Sequence, residues 1–298
     1  MKEKELINII KSTLNSGYIG DDCAYLKDLD IVITQDNLVE DVHFSLEYTT
    51  PYQLGWKSVM VNISDICASG AEPKYLTVGI SLPNYVDENF VKDFYRGAKD
   101  ASAEIVGGDI TGSDKLFISV CAIGSTAGRR ISSRANAKIG YKVIVSGEHG
   151  NSAYGLKLLQ NGVKEINKFT KAHLAPVAQI KFSKQIAENI NCDYAMMDSS
   201  DGLADALIQI AKGSKLKLVI DTSKIPHDSQ VDMDTVLFGG EDYQLVAVVP
   251  EGILDKISDY TVIGEAVSGK SGIEIDGIFY SDIDDKIYNH FEEKKDEI

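Results

Sequence analysis

Six short acidic segments are the residues of this chain best suited to chemistry. They are GDD at 20–22, TQD at 34–36, NISD at 62–65, GGD at 107–109, DSSDG at 198–202 and GGED at 239–242. Each places a carboxylate beside glycine, at a turn or within an apolar stretch, which is unusual for solvated surface charge. Carboxylate oxygens are hard donors that favour Mg²⁺, and Mg²⁺ also binds nucleotide phosphates. Together the segments favour a shared site that holds several cations.

Asp65 illustrates why these acids need cations. It lies between Ile63 and Ile66 in a mostly apolar segment. Two unpaired carboxylates about 4 Å apart repel by roughly 4 kcal/mol at an effective dielectric constant of ~20. That repulsion is a large part of the ~5–15 kcal/mol that stabilises a domain. Few Lys or Arg residues lie near the six segments, so magnesium is the natural counterion.

Each acidic segment also has an ordinary structural interpretation. Asp after Gly is common in turns, and Ser or Asp before a helical run is a common N-cap, so Ser200 or Asp201 would simply cap the next helix. GGDIT at 107–111 is equally well a strand-ending turn or a place where phosphate approaches the backbone. For any single segment the structural interpretation is preferred, and only the set of six favours a metal site.

FGGEDYQL at 238–245 is more specific than the other segments. Two glycines followed by two acids place carboxylates at a backbone corner that a ligand can approach closely. His43 falls in a predicted alternating strand, where core packing and substrate contact remain equally open. Less weight falls on the remaining histidines, His149, His173, His227 and His290.

Composition excludes several classes of protein. The 298 residues are 44% hydrophobic, which supplies a core for one large or two ordinary domains. A formal charge of −15 repels nucleic acid. No apolar run approaches the ~20 residues of a membrane span, and residues 1–16 lack the apolar stretch of a signal peptide. We therefore expect a cytoplasmic protein with neither nucleic acid nor membrane as partner.

The four cysteines are expected to be small buried thiols in a reducing compartment. They are Cys23, Cys67, Cys121 and Cys192.

The apolar pattern predicts a mixed α/β chain. A helix is predicted over 54–69, with Pro51 and Gly70 as start and stop signals. Further helices are predicted over 85–103, near 175–190 and opening at Asp201. Strands are predicted over 30–34, 39–45, 73–81, 105–110 and 115–124.

A second unit begins near Gly140. There a strand, a glycine turn and a helix follow one another in YKVIVSGEHGNSAYGLKLL. We place a domain boundary near residue 130, with 131–140 as the connector. Neither G-x-G-x-x-G after a strand nor H-R-D with D-F-G is present, so an ATP site is expected to use another design.

The ordered set GDD, TxD-LVE-x-VHF, VNISDI-x-A-x-G, GGD, MDSSDGL and FGGEDYQL resembles the thiamine-monophosphate kinase family. Order and rough spacing match from about Gly20 to the aromatic segment at Tyr288–Phe291. Each fragment alone is weak, but the combination is specific. FGGEDY together with VNISDI distinguishes this family from aminoimidazole ribonucleotide synthetase, selenophosphate synthetase and a hydrogenase maturation factor.

The resemblance implies three groups of site residues. Magnesium and phosphate would be held by Asp22, Thr34, Gln35, Asp36, Asp65, Asp109, Asp198 and Asp201. ATP would contact Tyr95, Gly108, Asp109, Arg134 and Ser200, and the catalytic roles would fall to Asp201 and Arg134. The thiamine end, with its aminopyrimidine and its cationic thiazolium, would be held by His43, Glu241 and Tyr288.

The resemblance also implies an architecture and a reaction. The fold would be a two-domain, synthetase-like α/β fold, with an ATP- and metal-binding dimerisation domain at 1–130 and an α/β domain at 131–298. The N-terminal strands of two chains would form a shared β-barrel in a homodimer. Thiamine monophosphate would take a phosphoryl group from ATP by direct in-line transfer, with several Mg²⁺ ions as cofactors, giving thiamine diphosphate.

This chain departs from the family pattern at four places. Gln35 replaces a usual Ser, Thr or Asp, Asp41 replaces a Gly, and Asn151 replaces an Asp. HLAPVAQ at 173–179 lacks the arginines usual there. None of these changes touches the core acidic set.

Other functions remain open at this point. One is an ATP-dependent synthetase of the same superfamily. Selenophosphate synthetase would need a reactive Cys or selenocysteine near a Lys, and the hydrogenase factor a C-terminal Cys, whereas this chain ends in KKDEI. Another is a non-catalytic ATP or metal sensor, which would lack several of the acids, and a third is a metal-dependent phosphatase.

Overall fold

Two β-sheets with helices packed on them make up the part of the chain described by a computed structural model, residues 3–101 and 103–287. The first helix, α1, spans Glu3–Leu14. The first sheet has five strands in the order β1-β2-β5-β3-β4. Only β3 and β4 run parallel, and the other neighbours are antiparallel. These strands are β1 Ala24–Leu26, β2 Ile31–Val39, β3 Glu72–Leu82, β4 Glu104–Gly112 and β5 Phe117–Ser125.

The strand predictions are confirmed except near residue 40. One nine-residue strand, β2, replaces the predicted pair at 30–34 and 39–45. The chain turns immediately after β2, where the backbone N–H groups of Val42 and His43 both donate to Val39 O. Asp41 takes up a left-handed conformation in that turn, with φ of 63°. His43 therefore lies in a turn, not in an alternating strand.

Helix α2, Pro51–Ala68, is central to the molecule. Thr50 and Gln53 form a reciprocal capping box at its start, and Pro51, predicted as a start signal ahead of residue 54, is itself the first helical residue. It packs against α3, Glu88–Asp100. At the crossing, a Cβ on Gly55 would lie 1.9 Å from Phe94 O, and one on Gly97 would lie 1.9 Å from Tyr52 O. The two backbones meet so closely that only glycine fits at both positions.

The second half forms a seven-stranded sheet in the order β12-β11-β8-β10-β6-β9-β7. Its neighbours are antiparallel except β8 and β11. The strands are β6 Lys142–Val145, β7 Ala195–Asp198, β8 Lys217–Ile220, β9 Leu245–Val249, β10 Thr261–Val267, β11 Gly272–Ile275 and β12 Ile278–Tyr280. The helices are α4 Asn151–Gln160, α5 Lys168–Leu174, α6 Ile180–Asn189, α7 Leu203–Gly213 and α8 Met233–Phe238.

Two helix predictions in the second half need correction. The helix expected near 175–190 begins only at Ile180, and α5 precedes it as a separate helix. The helix expected to open at Asp201 begins at Leu203, with Gly202 as its N-cap and no side-chain capping hydrogen bond. Gly202 holds the N-cap position of α7 in place of Ser200 or Asp201, so the predicted N-cap assignment is wrong.

Helix α2 connects the two halves. One apolar core combines its buried face with residues of the second sheet, including Met196 and Leu245. Two side chains from beyond residue 130 also satisfy carbonyls at its C-terminal end, because Ser132 Oγ donates to Ala68 O and Ser183 Oγ donates to Cys67 O at 2.6 Å. The mixed α/β class is confirmed. The boundary near residue 130 and the shared barrel stay predictions. Among the described residues, no helix is long and apolar enough to cross a membrane.

Candidate active site

Three carboxylates from distant parts of the sequence meet beside α2. Asp22 precedes β1, Asp65 lies in the last turns of α2, and Asp198 ends β7. One oxygen from each lies within 4.8 Å of the others. Asp36 on β2 is near enough for its charge to raise the pKa of Asp65. Four of the eight predicted magnesium ligands are thereby brought together.

Hydrogen bonds fix the orientation of these acids. Thr34 Oγ1 donates to Asp65 Oδ2 at 2.6 Å, and Ser64 Oγ donates to Asp198 Oδ2 at 2.6 Å. Asn62 Oδ1 accepts from the backbone N–H of Asp36 at 3.0 Å, which holds β2 against α2. Helix α2 thus anchors residues of both halves. Thr34 is a predicted site residue, whereas the roles of Asn62 and Ser64 become visible only in the fold.

Burial without enough countercharge raises the pKa of all four acids. Burial, followed by the charge of Asp22, raises the pKa of Asp198 to about 8 and that of Asp36 to about 6. Burial and the charges of Asp36, Asp198 and Asp22 raise the pKa of Asp65 well above its ordinary value. The pKa of Asp22 also rises, because burial outweighs the lowering effect of Arg134. The cluster therefore ionises fully at neutral pH only when positive charge is placed beside it.

The donor set fits hard divalent cations. Carboxylate and hydroxyl oxygens are the ligands that Mg²⁺ prefers. Asp198 Oδ1 is buried without a hydrogen-bond partner, and such an orphaned oxygen normally needs a partner or an ion. Asp22, Asp65 and Asp198 are therefore the residues that would hold a metal, with Asp36 beside them.

Arg134 is the fixed cation of this cluster. Its Nη2 donates to Asp22 Oδ1 at 2.6 Å, and its Nη1 donates to Gln209 on α7. Its backbone N–H donates to Asp21 Oδ1 at 2.8 Å. Arg134 Nε is buried without a partner. The guanidinium is thus held at the carboxylates with its Nε–H unpaired.

Two cavities adjoin the site segments. The one beside the carboxylates has a volume of about 230 Å³ and is lined mainly by polar residues, including Asp21, Asp22, Ser132, Ser133 and Asn136. A larger one, of about 400 Å³, lies between α4 and α8 and includes Phe238 and Gly239 at its wall. Of the clustered carboxylates, Asp22 lines the smaller cavity and none lines the larger one.

The segments MDSSDGL and FGGEDYQL interlock through their backbones. The N–H of Glu241 donates to Ser200 O at 2.7 Å. A Cβ on Gly240 would lie 2.7 Å from the same carbonyl oxygen, and Gly202 has φ of 102° directly against Phe238 and Gly239. Glu241 itself is in the left-handed region, with φ of 67°, where a non-glycine residue is strained. This backbone contact sets where the Glu241 side chain points.

Glu241 lies in a buried ionic pocket built by both halves. Lys57 Nζ on α2 is 3.0 Å from Glu241 Oε1, and His173 Nδ1 on α5 is 3.2 Å from Glu241 Oε2. Burial raises the pKa of Glu241, but its positively charged surroundings, Lys57 first, bring the net value below the ordinary one. The charge of Glu241 also acts on Tyr48, and His43 acts on Glu241, so both lie close by. His43 and Glu241, predicted to act together, do converge here.

Sequence patterns alone missed Lys57 and His173. Lys57 is 2% exposed, and a lysine is almost never buried to this extent unless it has a partner such as Glu241. A charged residue inside the apolar run LGWKSVMVN is the signal that marks it. His173 is 3% exposed, and burial with the charge of Lys57 lowers its pKa to about 4. It therefore acts as a neutral imidazole.

The second acid of FGGEDY has a structural role. Asp242 accepts from the backbone N–H groups of Gly150 and Ser152, which lie at the start of α4. A carboxylate at this position satisfies orphan donors of the first helical turn. The pair predicted at one backbone corner is thus divided, with Glu241 facing the ionic pocket and Asp242 capping a helix.

Three predicted residues, Gln35, Asp109 and Tyr95, lie apart from the carboxylate cluster. Gln35 is exposed and donates to Ser119 Oγ on β5, on the opposite face of β2 from Thr34 and Asp36 because side chains alternate. Asp109 is exposed on β4, and Tyr95 packs edge-to-face on Phe94 in α3. Asp201 is exposed in the turn before α7. Their assigned roles stay predictions, and Tyr288 lies outside the described residues.

Two glycine-containing segments have clear structural explanations. GGD lies inside β4 and is not a strand-ending turn. A Cβ on Gly108 would lie 1.9 Å from Val78 O on β3, so strand packing alone requires this glycine. Residues 264–271, GEAVSGKS, have the spacing of a P-loop but run from β10 through a bend into β11. Since no helix N-terminus follows, they do not form a phosphate cradle.

Comparisons with known proteins agree with this arrangement. A family model described as AIR synthase related protein, N-terminal domain, matches residues 20–126. The thiamine-monophosphate kinase of Aquifex aeolicus is 37% identical over 306 residues, covering 96% of this chain and 97% of its own length. The chain belongs to the thiamine-monophosphate kinase family. The Bacillus subtilis member is 35% identical, with 78% of this chain and 77% of its own length covered.

A solved member of the thiamine-monophosphate kinase family has the same fold. The structure described as AaThiL complexed with AMPPCP and TMP superposes with a TM-score of 0.89 at 35% identity, covering 97% of both chains. The family resemblance carried by the acidic motifs and the mixed α/β fold class predicted from the apolar pattern are thus confirmed.

Proposed function

We propose that this protein transfers the γ-phosphoryl group of ATP to thiamine monophosphate, giving ADP and thiamine diphosphate. The observation that carries the proposal is the position of α2. It brings Asp65 into the carboxylate cluster at one end and Lys57 to Glu241 at the other. A phosphate-handling site and a second polar pocket are therefore fixed to one rigid element. The family's name and the ATP analogue in the solved relative support both substrates.

The proposed reaction balances without a general base. An anionic oxygen of the acceptor phosphate forms a bond to the γ-phosphorus, and the bond from that phosphorus to the β,γ-bridging oxygen breaks. ADP leaves with the electron pair. Catalysis then consists of positioning two polyanions and stabilising the charge of the transferred group. This explains a site rich in Asp.

Each group in the site has a proposed task. Asp22, Asp65 and Asp198 would hold Mg²⁺, with Asp36 and Asp201 completing the set; bound Mg²⁺ would neutralise phosphate charge. Arg134, held on Asp22 and Gln209, would offer its remaining guanidinium donors to ATP phosphates. The backbone of Ser200 is fixed by Glu241, which would aim its hydroxyl at the nucleotide. Glu241 and His43 would bind the aminopyrimidine end, and Tyr288 is proposed to face the thiazolium.

We also propose a cytoplasmic homodimer. Edge strand β4 carries apolar side chains in the open, since Val106 is 56% and Ile110 is 64% exposed, and a long exposed apolar edge is a pairing surface. The four described cysteines are free thiols, which is typical of a reducing compartment. Light scattering of the purified protein and of Ile110→Lys tests the dimer: a monomeric wild type contradicts it.

The deciding experiment is a product assay. Purified protein is incubated with ATP, MgCl₂ and thiamine monophosphate, and the thiamine phosphates are separated after conversion to fluorescent thiochromes. We expect thiamine diphosphate only when all three are present, with one ADP formed per product. Phosphate release without acceptor would indicate a phosphatase, ADP without thiamine diphosphate another acceptor, and no ATP consumption by folded protein a sensor. Each of these results overturns the proposal.

A further inference from the structure

The Glu241 pocket contains more ionic structure than acceptor binding by one carboxylate requires. Lys57 is buried on the same helix that supplies Asp65, eight residues further on. A helix rises 1.5 Å per residue, so the two positions are about 12 Å apart along α2. Burying an ammonium group is costly unless a partner repays it. The described partner of Lys57 is Glu241, in the other half of the chain.

We propose that Lys57 is a positioning residue for Glu241, fixing the carboxylate that receives the acceptor. This rests on the proposed function. The two contacts are divided between the two oxygens, with Lys57 on Oε1 and His173 on Oε2. A carboxylate accepts about four hydrogen bonds. Lys57 and His173 contact one oxygen each, and because the Glu241 side chain is 27% exposed it keeps acceptor capacity for donors of the aminopyrimidine.

The surroundings also keep Glu241 ionised. The groups that face it are Lys57 on α2, His173 on α5, His43 and Tyr48 before α2, and Asp242 and Tyr243 in its own segment. Among these, Lys57 is the permanent cation, because His173 is neutral with its pKa lowered to about 4. Without Lys57, burial would raise the pKa of Glu241. An acceptor amine would then meet a protonated acid.

Lys57→Met tests the proposal by replacing the ammonium with an apolar chain of similar length. We expect the KM for thiamine monophosphate to rise at least about tenfold, equivalent to about 1.4 kcal/mol. The KM for ATP should stay within about twofold, because the carboxylate cluster is untouched. Lys92→Met is the matched control, because Lys92 lies on the exposed face of α3. It should leave both KM values unchanged.

A pH comparison separates positioning from simple destabilisation. The ratio of variant to wild-type kcat/KM for the acceptor should fall as the pH drops from about 8 to about 6, since Glu241 protonates earlier without Lys57. Ionisations common to both proteins cancel in this ratio. Lys57→Arg, which restores the charge, should recover most of the loss.

Lys57→Gln serves as a second variant if circular dichroism finds Lys57→Met unfolded, and the same two readouts apply. The proposal is overturned if the acceptor KM and the pH ratio match wild type, or if both KM values and kcat deteriorate together without pH dependence. Failure of the proposed function is distinct from this, because wild type itself would then form no thiamine diphosphate.

Discussion

Asp65→Asn should make the metal-free protein more stable while abolishing its activity. Asp65 belongs to two carboxylate pairs whose oxygens lie within 4.8 Å. Each fully charged pair repels by at least about 3.5 kcal/mol at an effective dielectric constant of about 20. Proton uptake and Arg134 already relieve part of this repulsion. We expect a net gain of about 1–3 kcal/mol, which corresponds to about 2–6 °C in Tm for a chain of this size.

The same substitution should remove the response to magnesium. Wild type should gain roughly 2.7 kcal/mol at 100 times the Kd of the metal, and Asp65→Asn should gain far less. Turnover should fall by about 10²–10³ or more, as for other losses of transition-state charge stabilisation. Thr34 Oγ1 retains an acceptor in the amide oxygen, so the local packing is kept.

Differential scanning fluorimetry in EDTA and in MgCl₂, with the thiochrome assay in parallel, measures all three effects. Asp114→Asn, an exposed acid between β4 and β5, controls for the change in net charge. A variant that is less stable than wild type without metal would refute the repulsion argument. An undiminished rise in Tm with Mg²⁺ would refute the assignment of Asp65 as a metal ligand.

Three further predictions follow from the same geometry. The stability of the metal-free protein should decrease as the pH rises, because the pKa of Asp198 is about 8 in the folded state and 3.8 ordinarily. The contribution of the protonated Asp198 is fully present below about pH 4 and is lost as the pH rises toward 8. A Tm in EDTA that rises between these pH values would contradict this. Gly240→Ala should lower kcat/KM about 10²-fold. The new Cβ would lie 2.7 Å from Ser200 O, whereas ordinary contact begins at 3.4 Å, so the backbone there must shift. The control Gly252→Ala has open space around the new Cβ and should match wild type. Arg134→Lys should raise the KM for ATP about tenfold, because a single ammonium replaces the fork held by Asp22 and Gln209; an unchanged KM would place the nucleotide elsewhere.

Local sequence patterns predicted the elements that carry strong local signals. Pro51, the apolar positions of α2 and Gly70 bracket that helix because capping and termination are decided within a few residues. The strands predicted from β-branched runs, 73–81, 105–110 and 115–124, correspond to β3, β4 and β5. The turn after β2 was not predicted, because VEDVHF alternates like a strand, and a left-handed Asp41 gives no compositional signal.

Family resemblance identified the acids of the site, but only the fold shows how they meet. Asp22, Asp65 and Asp198 are far apart in sequence, and their proximity depends on β7 packing beside α2. The different roles of Glu241 and Asp242 depend on the left-handed backbone conformation of Glu241. Lys57 was missed because its partner lies 184 positions away, a distance that no local pattern spans.

The tight backbone contacts at Gly108 and Gly240 bear on how variation within this family is interpreted. Both glycines border acidic motifs, where invariance is usually taken to mean ligand contact. Here a carbonyl oxygen occupies the volume of any side chain, at 1.9 Å for Gly108 and 2.7 Å for Gly240. Selection against replacement would therefore persist in a descendant that had lost catalysis but kept the fold. Family members that have lost catalysis are therefore better identified by replaced aspartates than by replaced glycines.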